Sequence, residues 1–283
     1  MSFDAAQYKT ATRQQWQEYA SGWNDWGPLL ETWLGEATER MLDLAGVTTG
    51  ASVLDVAAGA GGQSIAAARR VGPTGQVLAT DLSPEILRFA AKSAAEAGVD
   101  NVSTREFDGE HLHELTAGCF DAAISRVGLI YFPDRHRALT GIHHALRDGG
   151  RFATISYSSA AVNQFFSLPV SIIRRRAELP APAPGQPGPF SFADPELIHR
   201  ELTAAGFHDI VIELIDAPVR LLSAAECARF ERESFGALHQ MLASLNPEQQ
   251  RSVWAEIEES LGQFEDDGGF VGPCELVVAG AAR

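Results

Sequence analysis

The 283-residue sequence predicts an α/β protein built on a mostly parallel sheet with helices on both faces. Three observations predict this fold class. Short β-branched runs alternate with helical segments, a glycine-rich turn follows the first run, and an aspartate ends each of the next two. Such alternation indicates βαβ units, whose ligands lie beyond the carboxyl ends of the strands.

Strands can be assigned in order from residue 52 onward. Helix starts such as Ser83-Pro84-Glu85 and Asn246-Pro247-Glu248 separate them, as do turns such as Asp148-Gly149-Gly150 and Asp266-Asp267-Gly268-Gly269. Seven runs qualify as strands: residues 52–56, 76–80, 102–107, 120–125, 151–157, 210–215 and 275–279.

A single domain is predicted, with helical elements before and within it. Gly27-Pro28 breaks the N-terminal helical region in two, and the proline-rich stretch 181–189 predicts an extended loop. The domain spans residues 1–283. Within it we expect an N-terminal helical lid (1–48), a cofactor-binding core (49–158) and a last segment (159–283) that holds the remaining strands. Two helical caps are expected as insertions in that last segment, near residues 160–206 and 223–267.

Composition restricts the partners and the compartment. The formal net charge of −15 disfavours binding to nucleic acid and to anionic membranes. Three cysteines without a C-x-x-C pair argue against a disulfide framework or a zinc site and favour a reducing compartment. Residues Met1-Ser2-Phe3-Asp4 do not resemble a signal peptide, and no apolar run approaches the ~18 residues of a membrane helix. We expect a cytoplasmic protein; its oligomeric state stays open, a homodimer included.

A glycine-rich loop is the strongest signal of a ligand site. Residues 53–62 read VLDVAAGAGG, a strand that enters a turn and opens a helix. Glycine lets the backbone approach a ligand closely, and a helix N-terminus offers unpaired N–H groups to an anion. A tight turn without any ligand would give the same loop.

Two aspartates favour a nucleoside ligand at this loop. Asp81 ends the second strand, twenty residues after Gly61, where a carboxylate can accept both hydroxyls of a ribose. Asp108 ends the third strand, where it can accept a hydrogen bond from an adenine amino group. Each also fits an ordinary helix-capping role, which for Asp81 would be beside Ser83.

Five ordered motifs over residues 50–157 resemble the class I S-adenosylmethionine-dependent methyltransferases: VLDVAAGAGG, ATDLSPEIL, FDGEHL, FDAAISRVGLIYFPD and LRDGGRF. Within that family the sequence is most similar to the branch of the ubiquinone and menaquinone biosynthesis methyltransferases. The resemblance implies a Rossmann-like methyltransferase fold with a mostly parallel seven-stranded sheet and a helical cap. It also implies methyl transfer from S-adenosylmethionine to an oxygen, carbon or nitrogen atom of a small molecule, with S-adenosylhomocysteine as product.

The resemblance also assigns cofactor-binding residues along the chain. In this family, the first strand and its loop hold the methionine part, the next two strand ends hold the nucleoside, and the end of strand four borders the sulfonium. By position these are Asp55, Ala57, Gly59 and Gly61 for the methionine part, Asp81 and Leu82 for the ribose and adenine, Asp108 and Gly109 for the adenine amino edge, and Ser125 and Arg126 for the sulfonium and amine.

The sequence departs from the family pattern at two positions, and two other functions are alternatives for this fold. Alanine stands at Ala57 and aspartate at Asp148, where glycine and proline are usual. An NAD(P)-dependent oxidoreductase would place Ser64 where a third glycine permits close helix–strand packing. A protein of this fold that binds the cofactor for non-methylating chemistry is the other alternative.

Methyl transfer needs alignment and exclusion of water more than acid–base machinery. The sequence accordingly shows no metal motif and no catalytic triad, and we predict no metal site. Arg126 is a candidate for holding a carboxylate of the cofactor or the substrate, unless it forms a surface ion pair. His136 is the candidate base by position, although a histidine in the first turn of a helix often faces solvent.

Aromatic residues in the N-terminal region predict a lid. Trp16, Tyr19, Trp23 and Trp26 are spaced by three, four and three residues, which puts them on one face of a continuous helix. We predict that Tyr19, Trp23 and Trp26 cover the site and that Tyr131 lines it, with ordinary core packing as the alternative. An aromatic lid would favour an apolar or aromatic substrate.

Overall fold

The computed structural model describes residues 3–183 and 185–283. Predictions that involve Met1, Ser2 and Pro184 therefore lie outside the described residues. The strands are β1 (Ser52–Val56), β2 (Gln76–Asp81), β3 (Val102–Glu106), β4 (Phe120–Arg126), β5 (Leu146–Tyr157), β6 (His208–Asp216), β7 (Val219–Leu221), β8 (Glu265–Asp266), β9 (Gly269–Gly272) and β10 (Glu275–Ala282). The α-helices are α1 (Ala5–Glu18), α2 (Ala20–Asp25), α3 (Gly27–Leu44), α4 (Gly62–Val71), α5 (Pro84–Glu96), α6 (Arg135–Ala145), α7 (Gln164–Arg176), α8 (Pro195–Ala204), α9 (Ala224–Ser234), α10 (Gly236–Leu242) and α11 (Pro247–Leu261).

One seven-stranded sheet organises the molecule, in the order β3-β2-β1-β4-β5-β10-β6. The pairs from β3 to β5 are parallel, whereas β10 runs antiparallel to both β5 and β6. Ser52–Val56 is almost fully buried because helices cover both faces of this parallel region. The predicted mostly parallel seven-stranded fold is confirmed.

A second, three-stranded sheet was not predicted. Strands β7, β9 and β8 pair antiparallel, and the turn at Asp266–Gly269 connects β8 to β9 as a hairpin. The strands are two to four residues long. Such short strands leave too little period-two alternation to be recognised in a sequence.

The N-terminal helical region differs from its prediction in one respect. A break does occur at Gly27, where α3 begins, but a second break at Tyr19 separates α1 from α2. Helix α2 lies directly on the end of α9, since a Cβ atom on Gly22 would be 1.9 Å from the carbonyl oxygen of Glu233. The predicted single aromatic stripe is thus divided between two helices and Trp26, which lies just before α3.

Among the helices of residues 3–183 and 185–283, none combines the length and the apolar character that a bilayer-spanning helix needs.

Candidate active site

The glycine-rich loop lies where β1 ends and α4 begins. Ala57, Gly59 and Gly61 all have positive φ, at 59°, 56° and 87°. Gly61 caps α4 in the left-handed conformation, so the first N–H groups of that helix face the loop. Ala57 adopts this backbone despite its Cβ, at a cost of about 1–2 kcal/mol. The loop therefore presents bare backbone and helix N–H groups at the carboxyl edge of the sheet.

A second loop, after β4, closes tightly on the first. Val127 also has a positive φ of 58°, which is rare for a β-branched residue. A Cβ atom on Gly128 would lie 2.6 Å from the Cβ of Ala57 and 2.9 Å from the Oγ of Ser125. Only a glycine at position 128 permits this approach. Ala57, Val127 and Gly128 all border one cavity, so backbone strain concentrates at the candidate site.

Asp81 points toward the glycine loop. Its Oδ2 accepts the N–H of Gly59 at 3.0 Å, and its Oδ1 accepts the N–H of Ser83 at 3.0 Å. Burial raises the pKa of Asp81, although backbone N–H groups of Ser83, Gly59 and Leu82 oppose the rise. A carboxylate oxygen can accept two hydrogen bonds, so each oxygen keeps one position for a ligand in the cavity that Asp81 lines.

Asp108 lies at the cavity edge beyond β3. Its Oδ1 accepts the N–H of Glu110 at 3.0 Å, which is the capping role that the sequence also allowed. Its Oδ2 lies 2.8 Å from the Nζ of Lys9, a residue of α1. Burial alone would raise the pKa of Asp108, but Lys9 and the Glu110 N–H lower it below its ordinary value. Asp108 is therefore an ionised acceptor at this edge.

Arg126 lines the cavity at the end of β4. Its Nη1 donates to the Oγ1 of Thr38 at 3.1 Å, and it has no ion pair among the described residues. Burial lowers the pKa of Arg126 to about 10, against the attraction of Asp55. A Cβ atom on Gly62 would be 2.9 Å from the Nη2 atom, so the guanidinium lies beside the start of α4. A guanidinium and a helix N-terminus together favour a carboxylate ligand.

Three of the predicted cofactor residues lie behind the cavity instead of lining it. Asp55 is fully buried, accepts hydrogen bonds from Ser64 and Gln63, and has a pKa that burial raises to about 7. Ser125 is fully buried and donates to the carbonyl oxygen of Val56 at 2.8 Å. Gly61 acts as the cap of α4. The other predicted cofactor residues do line the cavity: Ala57, Gly59, Asp81, Leu82, Asp108, Gly109 and Arg126.

Aromatic side chains form much of the cavity lining. Trp16 packs edge-on against both Trp23 and Tyr131, with ring centroids 5.5 and 5.7 Å apart, and Trp23 packs edge-on against Phe235 at 5.8 Å. The aromatic lining residues are Trp16, Trp23, Phe107, Tyr131, Phe132, Tyr157 and Phe235.

Two of the predicted lid residues do not reach the cavity. Tyr19 stacks on His239 with ring centroids 4.8 Å apart, because the helix break at Tyr19 turns its ring toward α10. Trp26 donates to Glu233 at 2.9 Å and packs on Phe230. Trp23 and Tyr131 both line the cavity.

His136 does not line the cavity and is exposed on α6. The opposite face of that helix is buried through Ala138, Leu139 and Ile142, so the first-turn histidine faces solvent. This placement contradicts the expectation of a base at His136. No histidine lines the cavity within residues 3–183 and 185–283.

Several lining residues were not singled out from the sequence. Lys9 and Thr12 lie three and four residues apart from their neighbours on the face of α1 that carries Trp16. If α1 covers the site, this spacing in the sequence predicts that all three side chains face it. Gln63, Tyr157 and Phe235 gave no such signal. Tyr157 ends β5, and Phe235 follows α9, more than seventy residues further along the chain.

Comparisons with known proteins agree with this geometry. Residues 48–182 match a protein family described as "Methyltransferase domain". An uncharacterized protein of Mycobacterium tuberculosis is 36% identical over 176 residues, which cover 62% of this chain and 60% of that protein. Aklanonic acid methyltransferase of a Streptomyces species is 32% identical over 53% of this chain and 66% of its own length. The ubiquinone/menaquinone biosynthesis C-methyltransferase of Haemophilus ducreyi is 32% identical over 41% and 45%.

Solved structures share the fold. The YcgJ protein of Bacillus subtilis has a TM-score of 0.59 at 17% identity, over 88% of this chain and 98% of its own. The [4+2]-cyclase SpnF has a TM-score of 0.57 at 17% identity, over 95% and 96%.

Together these findings show that residues 48–182 form a methyltransferase domain, which agrees with the resemblance carried by the five motifs. The matched segment spans about 60% of the mycobacterial relative's length.

Proposed function

We propose that this protein transfers a methyl group from S-adenosylmethionine to a small apolar or aromatic acceptor and releases S-adenosylhomocysteine. The observation that carries the proposal is the mixed lining of one cavity. The glycine loop, Asp81 and Asp108 suit a nucleoside, and seven aromatic side chains line the same space. A site of this kind can hold a charged cofactor against an apolar acceptor.

The residues present fit the cofactor. Asp81 has free acceptor positions for a ribose, and Leu82 and Ile86 provide an apolar surface for the adenine. We assign Arg126 to the methionine carboxylate, because its guanidinium lies beside the start of α4. Gln63 lines the cavity and donates to Asp55 and the carbonyl oxygen of Ala58, so Asp55 would act by orienting Gln63.

The chain's contribution to the reaction is orientation and exclusion of water. When bound, the cofactor would supply an electrophilic methyl group that passes to an aligned nucleophile as the C–S bond breaks, with S-adenosylhomocysteine as the leaving group. Trp16 and Trp23 come from the N-terminal helices and cover the loop, with the Nε1 of Trp23 placed 3.4 Å from where a Cβ on Gly59 would be. Tyr131 and Tyr157 stay protonated because burial raises the pKa of each. As neutral phenols, both can donate hydrogen bonds to the molecule that receives the methyl group.

Two observations support the proposed class of acceptor. An aromatic wall favours a flat, apolar molecule, and the Streptomyces relative is named for the methylation of aklanonic acid. The cysteine pattern supports a cytoplasmic location, and a homodimer and the absence of nucleic-acid binding stay predictions from the sequence.

A turnover assay tests the proposal. The protein is incubated with S-adenosylmethionine and a panel of aromatic phenols, carboxylic acids and amines, with aliphatic amino acids as matched polar acceptors. We expect S-adenosylhomocysteine release with at least one aromatic acceptor and none with the polar set. Tight cofactor binding without release for any acceptor would instead support non-methylating chemistry on this fold.

The dehydrogenase alternative finds no support in the sheet. A dinucleotide-binding Rossmann sheet has the order 3-2-1-4-5-6. Here the antiparallel strand β10 lies between β5 and β6.

Replacing His136 with alanine is expected to leave turnover within about twofold of the unmodified rate, since an exposed side chain outside the cavity takes no part in proton transfer. The measurement is kcat with the best acceptor of the panel, across pH 6 to 9. A drop beyond about tenfold would restore His136 as the base.

A further inference from the structure

Helix α1 meets the cavity through one face. Lys9, Thr12 and Trp16 are spaced by three and four residues, and all three line the cavity. The buried residues of the helix are Thr12 and Gln15, both polar. Its main apolar contact is Trp16, which packs on Trp23 and Tyr131. The attachment of α1 therefore depends on polar contacts as well as on this aromatic contact.

Lys9 makes the polar contacts nearest the cavity. Its Nζ lies 2.8 Å from Asp108 Oδ2 and 2.5 Å from Glu110 Oε2. Burial alone would lower the pKa of Lys9, but the hydrogen bonds that it donates to the two carboxylates raise its pKa above the ordinary value. The other oxygen of Glu110 accepts the N–H of Asp134 at 2.9 Å. Lys9 thus joins α1 to the turn after β3 and, through Glu110, to the start of α6.

The same lysine orients the carboxylate that the adenine would meet. Asp108 uses one acceptor position of Oδ1 for Glu110 and one of Oδ2 for Lys9. One position on each oxygen stays free, so an adenine amino group can bind while Lys9 is in place. Lys9 also favours the ionised form of Asp108, which is the better acceptor.

We propose that Lys9 is a positioning residue that couples recognition of the adenine to the docking of α1. The inference rests on the proposed function, because it takes the adenosyl group as the ligand. Docked α1 orders Asp108, and bound adenine holds Asp108 in the arrangement that Lys9 needs. Each event therefore stabilises the other to the same extent.

Arg13 provides a matched control on the same helix. It pairs with Glu106 at the end of β3, and it does not line the cavity. Lys9→Met removes the contact with Asp108, whereas Lys9→Arg keeps a positive charge at that position. Arg13→Met removes a positive charge of the same helix that lies outside the cavity. Both positions carry partly exposed side chains on α1, and thermal melting checks that each of the three variants is folded.

Calorimetric titration with S-adenosylhomocysteine gives the first readout. We expect Lys9→Met to weaken binding about tenfold, and Lys9→Arg and Arg13→Met to stay within about threefold of the unmodified protein. The affinity of the unmodified protein should also fall with added salt more steeply than that of Lys9→Met.

Limited trypsin digestion measures the docking of α1 separately from the affinity for the ligand. If Lys9 only affected the local arrangement of Asp108, the rate of cleavage within α1 would not change. Saturating S-adenosylhomocysteine should slow cleavage after Arg13 in the unmodified protein and protect it less in Lys9→Met. Equal affinity and equal protection in the two proteins would overturn the proposal, and so would tighter binding by Lys9→Met. Failure of the unmodified protein to bind S-adenosylhomocysteine is a different result, which contradicts the proposed function itself.

Discussion

Replacing Asp81 with alanine is expected to weaken S-adenosylhomocysteine binding by about 100-fold or more. The carboxylate would make two charge-assisted hydrogen bonds to the ribose, each worth about 1.5–3 kcal/mol, and 1.4 kcal/mol corresponds to a factor of ten. The variant also loses the acceptors for the N–H groups of Gly59 and Ser83, so the loop itself becomes less ordered. Calorimetric titration below the melting temperature of the variant measures the loss.

Asp121 is the matched control for this prediction. It lies near the start of β4, at the opposite end of the strand from Arg126, and accepts the N–H of Ser52 at 2.7 Å. Asp121→Asn also disturbs a carboxylate–backbone contact of the sheet, so its melting temperature should fall while its affinity for S-adenosylhomocysteine stays unchanged. If Asp81→Ala bound as tightly as Asp121→Asn, the ribose assignment would be wrong.

Replacing Glu231 with leucine is expected to stabilise the protein, increasingly so as the pH rises. Glu231 lies on α9 with no exposed surface, and neither of its carboxyl oxygens has a hydrogen-bond partner among residues 3–183 and 185–283. Burial raises its pKa well above the ordinary 4.5. An unpaired buried polar group costs about 1–3 kcal/mol, and leucine of similar size removes that cost.

The pH dependence has a defined sign. Because the folded pKa is raised, the unfolded chain releases the proton of Glu231 first, near pH 4.5. Above that pH the wild-type free energy of unfolding should fall relative to Glu231→Leu by about 1.4 kcal/mol per pH unit, until the folded carboxyl ionises. Below pH 4.5 the difference between the two proteins should be constant.

Urea unfolding at several pH values between 4 and 8 measures this difference. Glu231→Gln, which keeps the size and polarity but cannot ionise, separates the cost of protonation from the cost of an unpaired polar group. A gap between wild type and Glu231→Leu that does not widen with pH would show that Glu231 has an ionic partner in solution. Tyr157 and Cys227 are titratable groups near Glu231: burial raises the pKa of both, and the charge of Glu231 would raise each further.

The sequence predicted the parts of the site that depend on local chain geometry. The loop from Val53 to Gly62 and the carboxylates Asp81 and Asp108 follow directly from strand ends, and parallel strands bring such ends to one edge of the sheet. Local residue preferences also predicted the helix starts at Ser83 and Asn246. Both side chains cap the N-termini of their helices.

Long-range packing determined the parts that the sequence did not reveal. The break at Tyr19 has no glycine or proline to mark it, and it moved Tyr19 and Trp26 away from the cavity. His136 has a suitable position in the chain, but the buried face of α6 directs it outward. Lys9 reaches Asp108 across ninety-nine residues of sequence, a pairing that no spacing rule could indicate.

Isothermal titration of the unmodified protein with S-adenosylhomocysteine, with NAD as the comparison ligand, tests most directly whether this cavity is a methyltransferase cofactor site. The arrangement of Asp81, Asp108 and Arg126 predicts one S-adenosylhomocysteine bound per chain with a dissociation constant in or below the micromolar range, and no heat with NAD. No binding of S-adenosylhomocysteine at millimolar concentration, or binding of NAD in its place, would contradict the account.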